Sequence, residues 1–217
     1  MIVIFGSAGF AKEVYLILVK IHSIKVQIEC FVGADDDPSV GQTINNIPIL
    51  SESVFFQKDK NYPIDAYIAV GSPNIKKKII GKIEKNGIAA NYPSLIDPSA
   101  NLDRENNFIN IGQGVIICGG ASLTIDIIIG DFTHLNLNST VGHDVFIGKF
   151  STISPGANIS GKVRIGNMSF LGTGAVILEN IEITNGIVVG AGAVVARNIL
   201  EPGTYVGIPA KKLNYSH

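Results

Sequence analysis

The sequence predicts a small Rossmann-like α/β domain followed by a parallel β-helix. Strands and helices alternate over residues 1–92, and an aliphatic residue recurs every six positions over most of residues 93–217. The alternation is typical of a parallel α/β sheet, whereas a short fixed repeat is typical of a solenoid. We therefore predict two domains, with the boundary at residue 92.

The first half opens with the apolar run MIVIF, which reads as a buried strand, then GSAG and a helical pattern. VQIECFV and DAYIAVG predict two further strands. The segment SPNIKKKIIGKIEKNG predicts a helix with Ser72 as its N-cap. Its spacing places Ile75, Ile79 and Ile83 on the buried face and directs Lys76 away from that face.

The second half repeats with a period of six. Fifteen consecutive positions at a spacing of six are all aliphatic: Ile111, Ile117, Leu123, Ile129, Leu135, Val141, Ile147, Ile153, Ile159, Ile165, Leu171, Ile177, Ile183, Val189 and Val195. The residue after each is often glycine, and the fourth residue after each is usually small or β-branched. A hexapeptide repeat of this kind predicts a parallel β-helix.

The repeat also predicts how the coils stack. Three hexads would close a triangular coil, so residues eighteen apart would lie on neighbouring coils about 4.8 Å apart. We expect one aliphatic side chain per hexad to point to the axis and an irregular corner at residues 108–110. Other apolar residues, such as Ile127, Phe146 and Phe170, would then need cover from another copy of the chain.

Composition excludes several classes of protein. The net charge of −1 gives little attraction to nucleic acid or anionic membranes. No apolar run reaches the roughly 18 residues of a membrane helix, and the N-terminal run lacks the basic residues of a signal peptide. Cys30 and Cys118 lie too far apart to indicate a disulfide framework, and Cys118 reads as a core residue. These features predict a soluble, cytoplasmic protein.

Motifs in both halves carry a family resemblance. VGHDVF, IGKFST, ISPGAN and LGTGAV resemble the hexads of left-handed β-helix acyltransferases, and GTYVGIPAKKL is similar to their closing segment. IFGSAGFAKEV, AYIAVGSPNIKKKI and IDPSANLD resemble the sialic-acid O-acetyltransferase and nucleotide-aminosugar N-acetyltransferase family. The resemblance covers nearly the whole chain.

The resemblance implies a function. It predicts an acetyl-CoA-dependent, metal-free N-acetyltransferase that acts on a nucleotide-linked 4-amino-4,6-dideoxy sugar in surface-glycan (lipopolysaccharide or O-antigen) biosynthesis. An O-acetyltransferase of sialic acid or a related sugar is the alternative, and a non-catalytic sugar-nucleotide-binding scaffold is a third reading. The sequence leaves the nucleotide open.

The stretch VGHDVFIG contains the candidate catalytic pair. His143 and Asp144 occupy the third and fourth positions of a hexad, which are turn positions pointing away from the axis. Polar residues are ordinary there, so a solvated turn is the alternative. The resemblance implies that His143 is the general base, with Asp144 holding the imidazole. Gly161, eighteen residues later, would leave room for a thioester and offer its N–H to an oxyanion.

The remaining site residues are carried over by position from the resemblance. In a homotrimer, acetyl-CoA would lie in a groove between subunits, lined by Thr152, Thr173 and Ala191, with Lys211 near the CoA phosphates. Relatives often have histidine where Thr152 stands. The nucleotide sugar would contact Ala8, Gly9, Phe10, Asp35, Asp36 and Gly71. A diphosphate suits the N–H groups of the helix that SAGF opens. His134 reads as a surface residue.

Overall fold

We describe a computed structural model of the chain, covering residues 1–22, 26–57, 62–103 and 107–214. The chain divides into two compact units, residues 1–95 and 96–217. The functional boundary at residue 92 stays a prediction. Within the described ranges, no helix is long and apolar enough to cross a membrane.

The first unit is a six-stranded sheet with three helices. Its elements are β1 (Ile2–Phe5), α1 (Gly9–His22), β2 (Ile28–Gly33), β3 (Thr43–Ile44), β4 (Ile47–Ser51), α2 (Glu52–Gln57), β5 (Ile64–Ile68), α3 (Pro73–Lys85) and β6 (Ala90–Asn91). The strand order is β3-β4-β2-β1-β5-β6. All neighbours are parallel except the β3–β4 hairpin. Because the chain winds outward from β1 in both directions, β1, β2 and β5 create the switch point at which α/β sheets bind ligands.

The predicted strands and the two long helices of this unit are present, whereas the β3–β4 hairpin, α2 and β6 were not predicted. The predicted burial of α3 was wrong at two positions. Lys76 is fully buried at 0 % exposure, whereas Ile75 is 48 % exposed. Burial lowers the pKa of the Lys76 ammonium well below its usual value. Helical spacing alone could not distinguish which of two adjacent residues faces the sheet.

The second unit is a parallel β-helix of short strands. They are β7 (Leu95–Ile96), β8 (Ile109–Ile111), β9 (Ile116–Ile117), β10 (Ser122–Leu123), β11 (Ile127–Ile129), β12 (His134–Leu135), β13 (Thr140–Val141), β14 (Phe146–Ile147), β15 (Thr152–Ile153), β16 (Asn158–Ile159), β17 (Arg164–Ile165), β18 (Phe170–Leu171), β19 (Val176–Ile177), β20 (Glu182–Ile183), β21 (Val188–Val189), β22 (Val194–Val195), β23 (Thr204–Val206) and β24 (Lys211–Lys212).

These strands form three sheets, which are the faces of a prism. The first face contains β8, β11, β14, β17 and β20; the second contains β7, β9, β12, β15, β18, β21, β23 and β24; the third contains β10, β13, β16, β19 and β22. From β8 to β22, paired residues lie eighteen positions apart, as in Val141↔Ile159, whereas β24 pairs antiparallel with β23. The expected irregular corner at residues 108–110 was wrong, because Ile109–Ile111 is strand β8 in register with Ile127–Ile129.

The core of the prism contains two side chains per hexad and not the predicted one. The repeating aliphatic residues are buried from Ile117 to Val195, and Ile111 is partly buried. The residues two positions before them are buried as well, including Ile127 at 0 % exposure. Residues i and i+2 of a strand face the same side, which explains the second inward position. Ile127 therefore needs no cover, whereas Phe146 and Phe170 are half-buried.

The third positions of the hexads form three corners, each a column of residues eighteen apart. The first corner, after the first face, consists of Gln113, Asp131, Lys149, Asn167 and Asn185. The second corner, after the second face, consists of Gly119, Leu137, Pro155, Thr173 and Ala191. The third corner, after the third face, consists of Ile125, His143, Gly161, Glu179 and Arg197.

On the first corner, side chains accept hydrogen bonds from the backbone of the neighbouring coil. The Lys149 N–H donates to Asn167 Oδ1 at 2.8 Å, and the Asn167 N–H donates to Asn185 Oδ1 at 2.7 Å. The Gln113 N–H donates to Asp131 Oδ1 at 3.2 Å. Each side chain thus accepts from the backbone of the preceding coil, and we call this arrangement the side-chain ladder of the first corner.

Candidate active site

His143 and Asp144 form an exposed pair on the third corner. His143 Nδ1 lies 2.8 Å from Asp144 Oδ2, and the two side chains are 50 % and 53 % exposed. Asp144 adopts φ 59°, and its N–H donates to the Ile125 carbonyl at 3.1 Å. The left-handed turn of Asp144 thus brings its carboxylate beside Nδ1, and the contact leaves Nε2 without a side-chain partner among the described residues.

Gly161 lies directly over the His143 ring, on the next coil. A Cβ on Gly161 would stand 2.5 Å from His143 Nε2 and 2.7 Å from Cε1, so any side chain here would displace the imidazole. The Gly161 carbonyl accepts from the Asn180 N–H at 3.1 Å. In the described part of the chain, no group accepts from the Gly161 N–H. The eighteen-residue stacking of Gly161 on His143 is therefore confirmed, and the role of the Gly161 N–H stays a prediction.

The residues predicted for acetyl-CoA separate into two groups. Thr173 and Ala191 are exposed and stack on the second corner, and Lys211 is exposed on β24. Thr152 is only 3 % exposed, between His134 and Phe170 on the second face. A side chain this buried cannot line an open groove of the protomer, so the structure does not place Thr152 with the other three.

Two smaller predictions concern the same unit. His134 is 0 % exposed, so the prediction that it lies on the surface was wrong. The hexad position alone could not show this, because the same position is exposed at Val188. Cys118 is fully buried, which confirms its assignment to the core.

A cavity of about 320 Å³ opens at the switch point of the first unit, at the carboxyl ends of β1, β2 and β5. Three of the predicted substrate residues line it: Ala8, Phe10 and Gly71. Gly9 begins α1 and does not contribute to its wall. The first turns of α1 and α3 flank the cavity, since Phe10 and Ile75 both line it.

The three consecutive aspartates have different environments. The Asp35 carboxylate accepts from the Ser53 N–H at 2.8 Å and from its hydroxyl at 2.7 Å, at the start of α2. These bonds, the backbone one foremost, lower the Asp35 pKa. Asp36 is exposed. Neither lines the cavity, so the predicted pair is not part of its wall.

Asp37 is the aspartate of this run that lines the cavity. Its Oδ1 accepts from the Ser39 N–H at 2.8 Å and from the Ser39 hydroxyl at 2.5 Å, and its Oδ2 accepts from the Ser7 hydroxyl. The hydrogen bonds, first that of the Ser39 side chain, lower the Asp37 pKa. Sequence reasoning missed Ser7, Asp37 and Glu52, all of which line the cavity. The position of Ser7, two residues after β1, was the available signal.

In the ranges that the structure describes, no three residues among His, Cys, Asp and Glu come close enough together to hold a metal ion.

Comparison with known proteins finds relatives of the same fold. The family model described as PglD N-terminal domain matches residues 1–83. WeeI from Acinetobacter baumannii AYE is 32 % identical over 98 % of this chain and 99 % of its own, with a TM-score of 0.84. The acetyltransferase domain of PglB from Neisseria gonorrhoeae FA1090 is 29 % identical over 98 % of both chains, with a TM-score of 0.84.

A third relative has been solved with CoA and a nucleotide sugar. A mutant of perosamine N-acetyltransferase from Caulobacter crescentus, in complex with CoA and GDP-perosamine, is 25 % identical over 98 % of this chain and 96 % of its own, with a TM-score of 0.85. A search of the curated proteins found no match.

The prism and these relatives define an acyltransferase of the left-handed, hexapeptide-repeat β-helix class. Within that class, the chain belongs to the nucleotide-aminosugar N-acetyltransferase family. It is an acetyltransferase that uses acetyl-CoA as co-substrate.

Proposed function

We propose that the protein transfers the acetyl group of acetyl-CoA to the 4-amino group of a nucleotide-linked 4-amino-4,6-dideoxy sugar in surface-glycan biosynthesis. The observation that carries the proposal is the third corner, where an Asp144-held His143 lies under the free N–H of Gly161. Because acetyl-CoA and nucleotide sugars are made in the cytoplasm, we place the reaction there.

His143 acts as the general base. Asp144 Oδ2 holds the proton on Nδ1, so the lone pair of Nε2 is free for the amine proton. The neutral amine attacks the thioester carbonyl, a C–N bond forms, and the amine proton passes to Nε2. Asp144 stabilises the resulting imidazolium.

Gly161 acts on the developing charge. The carbonyl oxygen becomes an oxyanion as the amine adds, and the Gly161 N–H donates to it. When the C–S bond breaks, the CoA sulfur leaves and takes the proton from His143. The thioester is already activated, so no acyl-enzyme is needed.

The donor site requires a second copy of the chain. Thr173 and Ala191 lie on the second corner, whereas His143 lies on the third, a full prism face away. A homotrimer that sets the second corner of one copy against the third corner of its neighbour would join the two sets. Lys211 would then meet the CoA phosphates. The PglB relative has also been solved with acetyl-CoA, which supports a donor site in this fold.

The acceptor nucleotide would occupy the cavity of the first unit. The first turns of α1 and α3 flank the cavity, and the positive end of a helix dipole suits a diphosphate. Ala8, Phe10 and Gly71 would contact the ligand, and Asp37 would hold the loop that carries Ala34 in the wall. Gly9, Asp35 and Asp36 stay proposed contacts of the adjoining loops. The cavity does not identify the nucleotide base.

A thiol-release assay tests the proposal. The protein is incubated with acetyl-CoA and, separately, with UDP-, dTDP- and GDP-linked 4-amino-4,6-dideoxy sugars and with free sialic acid. We expect CoA release with a nucleotide amino sugar and an acetamide product by mass spectrometry. An ester product on sialic acid would establish the O-acetyltransferase instead, and no release with any acceptor would leave only a binding scaffold.

A further inference from the structure

An exposed aliphatic side chain lies beside the catalytic pair. Ile125 occupies the third corner one coil before His143, and 40 % of its surface is accessible. The other side chains of this corner are His143, Gly161, Glu179 and Arg197, so Ile125 is its single aliphatic residue.

Backbone contacts fix the position of Ile125 relative to His143. The Ile125 carbonyl accepts from the Asp144 N–H at 3.1 Å, and the His143 carbonyl accepts from the Lys162 N–H at 2.8 Å. The same geometry thus repeats on successive coils, which places Ile125 under His143 as His143 lies under Gly161. Coils are about 4.8 Å apart, so a ligand at the imidazole reaches both neighbouring coils.

In the proposed mechanism, the donor approaches His143 from the later coils. Gly161, Thr173, Ala191 and Lys211 all follow His143 in the chain and lie on later coils. The coil of Ile125 precedes His143. The amine must reach Nε2, so an acyl group on the Gly161 side leaves the Ile125 side to the sugar ring that carries the amine.

One group of the proposed sugar matches an aliphatic side chain. In a 4-amino-4,6-dideoxy sugar, the C6 methyl is attached to C5, which is bonded directly to the amine-bearing C4. The methyl is therefore within a few Å of the reacting nitrogen, whereas most other substituents of the ring are polar. Burying this methyl against Ile125 is favourable, and a hydroxyl there would lose water without gaining a hydrogen bond.

We propose that Ile125 contacts the C6 methyl of the acceptor and makes the enzyme select 6-deoxy over 6-hydroxy amino sugars. The proposal rests on the proposed function, since it requires an amino-sugar acceptor. It assigns Ile125 a role in specificity and none in proton transfer.

The test compares two acceptors that differ only at C6. kcat/KM is measured for a nucleotide-linked 4-amino-4,6-dideoxy sugar and for its 4-amino-4-deoxy counterpart with a C6 hydroxyl. We expect the wild type to prefer the 6-deoxy acceptor by about 10–100-fold, the range for one small group in an apolar pocket. Ile125→Ala should lower this ratio by about tenfold, and Ile125→Val should retain most of it.

The controls separate this role from others. Leu16→Ala removes an aliphatic side chain of similar exposure, 52 %, on α1 and should leave the ratio unchanged. If Ile125→Ala slows both acceptors by the same factor, or changes the sedimentation coefficient instead of the ratio, Ile125 packs against another subunit and the proposal is wrong. If the wild type acetylates neither sugar, the proposed function is wrong and the role of Ile125 is wrong with it, whereas loss of the selectivity alone overturns only the role of Ile125.

Discussion

The first and third corners of the prism have the same backbone turn but different side chains. Side chains accept backbone hydrogen bonds on the first corner, whereas the third corner has a glycine above a histidine. On the first corner, Asn167 Oδ1 accepts from the Lys149 N–H, and Asn185 Oδ1 accepts from the Asn167 N–H. On the third corner, the residue equivalent to Asn167 is Gly161, which has no side chain to accept from the His143 N–H. The imidazole of His143 occupies the space beneath it.

The difference shows how a repetitive solenoid acquires a reactive site. The ladder side chains of the first corner satisfy backbone donors and add stability, since each such hydrogen bond contributes about 1 kcal/mol. Omitting one ladder side chain frees an N–H and opens space for a ring. The proposed oxyanion donor is a second N–H, that of Gly161 itself, from which no group in the described ranges accepts. In the proposed mechanism, one glycine and one histidine thus give this turn a base and an oxyanion donor.

Removing the base should have the largest effect. His143→Ala should lower kcat by roughly 10²–10⁴-fold, the usual contribution of a positioned general base. Stability should change little, because the His143 side chain is 50 % exposed. Steady-state kinetics and thermal unfolding measure the two effects.

Acetyl-CoA binding, measured by calorimetry, should survive His143→Ala, because the proposed groove residues lie on another corner. The activity defect should shrink above the pKa of the sugar ammonium, where the amine is already neutral. If His143→Ala binds both substrates and keeps near-wild-type kcat at neutral pH, His143 is only a solvated turn residue and not the general base.

Giving the third corner a ladder side chain, by Gly161→Asn, should have the next largest effect on kcat. In Gly161→Asn, the new side chain can accept from the His143 N–H as Asn167 does from Lys149, but its Cβ would stand 2.5 Å from the present Nε2. The displaced imidazole should lower kcat by about 10²-fold, the cost of a misplacement of about 1 Å. The melting temperature should stay the same or rise.

A Gly161→Asn enzyme with normal kcat would contradict the proposed position of the reacting atoms. Gly161→Ala tests the steric part alone, because it displaces the ring without supplying a ladder acceptor.

Removing the charge beside the base should cost less. Asp144→Asn keeps the size of the side chain and loses the carboxylate that faces Nδ1. Both groups are half exposed, and an exposed ion pair contributes up to about 1 kcal/mol, so kcat should fall by up to about fivefold. A loss as large as that of His143→Ala would show that Asp144 itself takes part in proton transfer.

The sequence predicted the prism well because its period is simple. Aliphatic residues from Ile117 to Val195 are buried, and the eighteen-residue spacing correctly placed Gly161 over His143. Spacing could not show that a second position per hexad points inward, since small or β-branched residues there, such as Val145 and Ala157, are compatible with either side. Periodicity predicts which residues stack on neighbouring coils, but it does not predict how exposed each side chain is. The burial of His134 and Thr152 was therefore missed.

The α/β unit was less predictable for a different reason. Its cavity is assembled from the ends of three strands that are distant in sequence, so no single motif contains it. The family resemblance implied a contact pair at Asp35 and Asp36. Hydrogen bonds to Ser7 and Ser39 instead place Asp37 at the cavity, and these depend on how two loops meet.

The smallest expected effect concerns the intact ladder. Asn167→Gly gives the first corner the glycine that the third corner has, and it removes the acceptor of the Lys149 N–H. The solvent-exposed N–H can bond to water, so the free energy of unfolding should fall by only about 1 kcal/mol, measured by urea denaturation. kcat should not change, because no base lies beneath this position: Lys149 instead pairs with Asp131 at 2.8 Å. If Asn167→Gly lowers kcat as strongly as Gly161→Asn, the two corners are not independent, and activity depends on the prism as a whole.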